Sequence, residues 1–141
     1  MNIPVCFSKT SHSVLLLLAT LLFAGGAQAE WIQFGRTDEF RIYLDQRLIS
    51  KKDDSAQMWQ LMDFTVAQWA DARTAVGSIK TLVEYDCTQP RSRTIAGEAY
   101  SEQMAAGRMV SSERVADPQW EGIDPGSNPE KMRQIACGKK P

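Results

Sequence analysis

The stretch from Ser78 to Thr94 constrains the fold of this chain more than any other. Between Ser78 and Cys87 the residues alternate. Ile79, Thr81, Val83, Tyr85 and Cys87 fall on one side, and Lys80, Leu82, Glu84 and Asp86 on the other. A strand with one buried face has this period of two. Cys87 therefore aims its sulfur into a core, and Glu84 and Asp86 are expected on the solvated face. Thr88-Gln89-Pro90 breaks the run, because proline cannot donate to a central ladder. Arg91 to Ser101 resumes it, with Ile95, Gly97 and Ala99 opposite Thr94, Ala96, Glu98 and Tyr100. Two runs this close predict an antiparallel hairpin, and Gly97 predicts a bulge or a close approach by another element.

What Cys87 pairs with depends on where the chain goes. Residues 1–29 have the composition of a secretory signal peptide: Lys9 before an apolar run from Val14 to Ala24, then Ala27-Gln28-Ala29 as a cleavage site. The apolar run is about half the 20 residues a membrane span needs. Cleavage between Ala29 and Glu30 is expected. It removes Cys6 and the single histidine, His12. Cys6 precedes the apolar run, so it is not placed to carry a lipid at the mature start. Losing Lys9 from 16 basic groups leaves 15 against 17 acidic ones, a net charge of -2. No second run in the chain is apolar enough to span a membrane.

The mature chain keeps Cys87 and Cys137. In an exported protein the expected outcome is one disulfide. The alternatives are a two-thiolate metal site, which lacks further ligands, and a redox pair, which usually sits as C-x-x-C. A bridge closes a segment of about 51 residues, a constraint of about 4 kcal/mol in the chain-entropy model.

Other segments fill out the sheet. Trp31 to Phe34 and Phe40 to Leu44 predict strands, and Asp45 to Ile49 a turn with a few more strand residues. Lys51 to Ser55 is a charged hairpin tip. Ala56 to Thr65 is too continuously apolar for one-sided burial and predicts a central strand covered on part of both faces. Val66 to Gly77 shows neither period and is read as a long connection. Its Trp69 either folds back as a lid on the core or serves as a binding anchor. Glu102 to Gly107 is a turn, Arg108 to Val115 a weaker strand, and Asp117 to Pro129 an irregular connection. A helix signal follows: Ser127 or Asn128 as N-cap, Pro129 and Glu130 in the first turn, Met132, Ile135 and Ala136 on one face, and Gly138 as C-cap. Lys139 and Lys140 suit its negative end. A bridge to Cys87 would staple this helix to the sheet. The expected fold is α+β, an antiparallel sheet of about five to six strands with one C-terminal helix.

Several of these pieces together resemble the surface-adhesin protein E family of bacterial envelope proteins. They are Trp31, Phe40 to Asp45, Trp59-x-Leu61, Ser78 with Leu82-Val83-Glu84-Tyr85-Asp86-Cys87, Arg91-Ser92-Arg93-Thr94, Pro125-Gly126-Ser127 and Ala136-Cys137. The resemblance covers almost all of the mature chain. It implies an antiparallel sheet with a C-terminal helix held by one disulfide, an envelope location, binding of host matrix and serum proteins, and haem binding in a homodimer. With no mature histidine, axial ligation of haem would fall to Tyr or Met, and no cofactor is expected.

Function follows by class. The charge balance lacks the clustered basic face that nucleic acid requires. The mature chain has no histidine base, no G-x-S-x-G and no P-loop, so no enzyme is expected. Asp45, Glu84 and Asp86 would form a catalytic carboxylate pair only if two shared a cleft. The expectation is an exported binding protein in the periplasm or medium with a protein partner. Trp69, Arg91 and Arg93 are its candidate contacts. The arginines alternatively pair with Glu84, Asp86 or Glu98 across the hairpin. The other reading is an accessory or assembly factor of the envelope that pairs through an open sheet edge.

Overall fold

The computed structural model describes residues 30–138. The expected leader, with Ala29 at its expected cleavage site, and Lys139 and Lys140 lie outside that range. Strands β1 (Trp31–Arg36), β2 (Phe40–Asp45), β4 (Ser55–Asp71), β5 (Thr74–Asp86), β6 (Arg91–Tyr100) and β7 (Met109–Arg114) form an antiparallel sheet in that spatial order. Short β3 (Ser50–Lys52) adds to β4 and short β8 (Glu121–Gly122) to β6. The sheet therefore has eight strands rather than five to six. The two extra strands are too short to leave a periodic signal.

The single α-helix among the described residues, α1 (Asn128–Cys137), lies on one face near the end of β5. Ser127 is its N-cap, with its hydroxyl accepting from the Glu130 N–H, and Gly138 closes it in the left-handed conformation. Met132 and Ala136 of the helix join Leu44, Ala56, Met58, Val83, Tyr85 and Ile123 in the buried core. The Tyr85 hydroxyl is bonded by Gln60 Nε2, and burial pushes its pKa up. Cys87 and Cys137 form the disulfide that ties α1 to the sheet, with Cα atoms 5.6 Å apart. Cys87 is in phase with the core as the alternation requires. The central β4 is buried on both faces over part of its length, through Ala56 and Met58 on one side and Leu61 and Asp63 on the other.

Two expectations are corrected. Val66 to Gly77 is not a connection: β4 runs on to Asp71, β5 begins at Thr74, and the pair forms a two-stranded arm. Beyond Phe64 on β4 and Ser78 on β5, neither β2 nor β6 accompanies it. Nor is Gly97 a bulge or a crowded site. A Cβ there would meet nothing within 4 Å, and the irregularity of β6 falls at Ile95.

The close approach is at Gly77 instead, where a Cβ would collide with the Glu102 backbone. A 3-10 turn, Gln103–Ala105, packs against the base of the arm there. Buried Asp63 accepts from the Met104 N–H (2.6 Å), and the Ser78 hydroxyl donates to the Glu102 carbonyl (2.7 Å) while accepting from the Ala105 N–H. Met104 and Ala105 both adopt positive φ in this turn. The arm thus leaves the sheet from a polar clamp.

Candidate functional site

The predicted contact residues fall at opposite ends of the sheet. Arg91 opens β6 beside the end of β5, and Trp69 lies on the arm opposite Ala75. From Ala75 to Asp86 along β5 is about 35 Å at the usual strand rise. The structure does not bring Trp69 and the two arginines into one surface.

At the β5–β6 turn, Asp86 and Glu84 are only 7% and 8% exposed, which corrects their expected solvated position. Their cover is a side-chain layer rather than a second sheet. Arg91 Nε donates to Asp86 at 2.8 Å and Arg93 Nε to Glu84 at 2.6 Å. Both guanidinium groups then lie over the Trp120 ring, at 4.9 and 4.3 Å from its centre. Cation–π contact and ion pairing here act on the same two side chains. Trp120 was not singled out by sequence reasoning. The only signal was an aromatic residue in the connection from Asp117 to Pro129.

Asp86 also organises the turn. Its Oδ1 accepts from the Thr88 N–H, the Thr88 hydroxyl and the Gln89 N–H. Burial alone would raise its pKa, but these bonds and Arg91 outweigh it and hold the carboxyl well below its usual range. Glu84 is lowered too: burial opposes it, while bonds from Arg93 and Ser55 prevail. On the core side, buried Arg133 of α1 donates to the Asp86 carbonyl at 2.9 Å. The same residue is thus tied to turn, strand and helix. Two carboxylates held ionised by their own guanidinium groups are suited to anchoring rather than to proton transfer. Asp45 does not join them, since β4 lies between its strand and β5. Glu98 pairs with Lys80 at 3.1 Å, not with an arginine. The pairing alternative for Arg91 and Arg93 therefore describes the structure, with Asp86 and Glu84 as the partners.

The arm is the contrasting surface. Val66 is 72% and Trp69 70% exposed, so Trp69 is not a lid on the core. Between the arm and β7 runs a groove of about 480 Å³, with Phe64, Ile79, Ala99 and Val110 among its lining and Trp69 at its side. That residues of the arm and of β7 face one groove means the sheet curls toward this side at this end. Glu30, the first described residue, is exposed and pairs with Arg47 at 3.4 Å. Among the described residues no three His, Cys, Asp or Glu side chains converge as a metal site, and no helix is long and apolar enough to cross a membrane.

The fold has solved counterparts. Crystal form II of Haemophilus influenzae protein E superimposes with a TM-score of 0.62 at 11% identity, covering 80% of this chain and 91% of that one. Another structure of Haemophilus influenzae protein E gives 0.62 at 11% identity, over 80% and 87% of the two chains. Protein E from non-typeable Haemophilus influenzae gives 0.55 at 11% identity, over 79% and 86%. At this identity the likeness speaks for the fold. No curated protein matches the chain in sequence. The family model described as surface-adhesin protein E matches residues 31–138, which is nearly the whole described domain, and the chain belongs to that family.

Proposed function

We propose that this protein is exported, cut between Ala29 and Glu30, and works in the periplasm or medium as a non-catalytic module that binds other proteins. The observation that carries the reading is the arm. It exposes an indole and a valine where a two-stranded ribbon gains no core by doing so, and aromatic anchors of this kind dominate protein contacts. Family membership supports an adhesin-like role, with host matrix and serum proteins as the partner class. The reading needs no haem or other cofactor. Arg91 and Arg93 are secondary contacts, because Asp86, Glu84 and Trp120 already engage them.

The test is capture of the exported protein on immobilised matrix and serum proteins. Trp69→Ala with Val66→Ser should lose most of the binding, and Arg91→Ala with Arg93→Ala should lose little. Binding that survives both pairs of changes would refute the surface assignment. A second reading, an assembly factor of the envelope, draws on the outer strands β1 and β7, which pair on one side only among the described residues. Fractionation decides between them: a bacterial partner recovered from the periplasm favours assembly, and host-protein binding by released material favours adhesion.

A further inference from the structure

We infer that the Arg73–Thr74 bond at the tip of the arm is a built-in cut site for a serine protease of trypsin-like specificity, and that one cut there frees the strands of the arm without unfolding the body. Water adds across that amide, leaving a carboxylate on Arg73 and an amine on Thr74. The consequence for binding rests on the arm being the contact surface, as proposed above.

A protease takes its substrate as a single extended strand, so a folded segment is cut only as often as it opens. Exposed tips of small and polar residues are where cutting starts. The tip reads Ala70-Asp71-Ala72-Arg73-Thr74, exposed throughout from Ala70 to Arg73. Arg73 is the only basic residue between Val66 and Gly77. The ladder beneath it is thin. Gln68↔Val76, Trp69↔Ala75 and Asp71↔Thr74 pair, with one irregularity below them and one among them. A two-stranded ribbon by itself is marginally stable. The turn hangs on the exposed carboxylate of Asp71, which accepts from the Arg73 N–H at 2.8 Å and from Thr74.

Other exposed basic residues are fastened to the body. The N–H groups of Arg47 and Leu48 both donate to Asp45, itself 1% exposed. The Lys52 carbonyl accepts from the Ser55 hydroxyl, and its hairpin tip is held where the Cys87 N–H donates to the Asp54 carbonyl. The Arg108 N–H donates to the Ser101 hydroxyl, and its carbonyl accepts from the Ser101 N–H. After Arg114, the Val115 N–H donates to the Ile95 carbonyl.

The body is built to outlast the cut. Ser55 to Asp63 on one piece stays laddered to Ser78 to Asp86 on the other. Met132 and Ala136 of the second piece share a core with Leu44 and Met58 of the first. Both cysteines of the disulfide lie in the second piece, so no covalent bond joins the two. The arm alone loses its closure, and with it the ribbon that holds the indole of Trp69.

The experiment uses protein exported from the full-length chain and brief digestion with dilute trypsin, followed by mass spectrometry, gel filtration and hydrogen exchange. The first cut should fall after Arg73 and run about tenfold faster than any other. Arg73→Gln should remove it, and a lysine-specific protease should leave the arm whole. The pieces should separate in a denaturing gel without reductant yet elute together in buffer. Amides from Val66 to Val76 should then exchange about tenfold faster while those of Met58 and Val83 keep their protection. A first cut elsewhere, pieces that part in buffer, or arm amides still protected after the cut overturns the inference. Capture on matrix and serum proteins should fall about tenfold in the cut protein and persist in trypsin-treated Arg73→Gln. If Trp69→Ala abolishes capture while trypsin cuts first at another site, this inference fails and the reading of the arm stands. If cutting and exchange go as stated while capture is indifferent both to the cut and to Trp69→Ala, the reading of the arm fails and the cut site stands.

Discussion

Replacing Asp86 with asparagine changes one atom and one charge at the point where turn, strand and helix meet. Asparagine keeps an acceptor for the three donors on Oδ1, the Thr88 N–H and hydroxyl and the Gln89 N–H. The loss is at Oδ2, where an amide NH2 would confront the Arg91 Nε–H now 2.8 Å away. A hydrogen bond to a charged group contributes about 1.5–3 kcal/mol. Arg91 is 44% exposed and can turn to water, so the lower part of that range applies, about 1.5 kcal/mol. The assay is urea unfolding of wild type and Asp86→Asn from pH 7 down to pH 2. The folded pKa of Asp86 lies below its unfolded value of about 3.9. Its contribution is then fully present above that value and fades as pH falls toward the folded pKa. The gap between the two proteins should be constant from pH 7 to about pH 5 and shrink below about pH 4. A gap under about 0.5 kcal/mol at neutral pH, within the scatter of surface substitutions, would refute the reasoning. A gap that stays the same at pH 2 would refute it as well.

Three further outcomes follow from the fold. Cys87→Ser with Cys137→Ser should cost about 4 kcal/mol in urea unfolding and raise the denaturant slope, since the unfolded chain loses a constraint across a separation of 50 residues. Gly77→Ala should destabilise by about 1–3 kcal/mol, because the new methyl meets the Glu102 backbone, and differential scanning calorimetry would show it as a lowered midpoint. Trp69→Ala should change stability by less than about 0.5 kcal/mol, whereas Trp69 acting as a core lid would have made the change cost several times more.

Much of the sheet was legible because burial imposes a period. Ser78 to Cys87 and Phe40 to Leu44 each press one face on a core, and their alternation marks the strands directly. The helix was legible from its ends, through Ser127, Pro129 and Gly138. The arm was not, because a ribbon without a layer beneath it has no side that must be apolar. Ala67, Ala70 and Ala72 then read equally well as helix or loop. The cover over Glu84 and Asp86 was hidden for a different reason. Trp120 is separated from Arg93 by many residues, and no local pattern reports that one ring stacks beneath two guanidinium groups. Of the candidate site, the exposure of Trp69 and the ion pairs of the arginines were both among the readings open in the sequence. Their distance apart was not.

The irregular pairing at the base of the arm has a consequence for which way the arm looks. Between the pairs Asp63↔Ser78 and Gln68↔Val76, β4 advances five residues while β5 advances two. The surplus is odd. Each step of one residue turns a side chain to the opposite side of a strand, and because Gly77 and Ser78 both face the Gln103–Ala105 turn, the odd surplus on β4 matches a break in the alternation of β5. Deleting one residue from Phe64 to Ala67 would leave the arm's composition almost unchanged and turn its indole to the opposite side. What the arm shows to a partner is therefore set by counting residues at its base, and variation in loop length there would reverse the orientation of the binding face without altering a single contact residue.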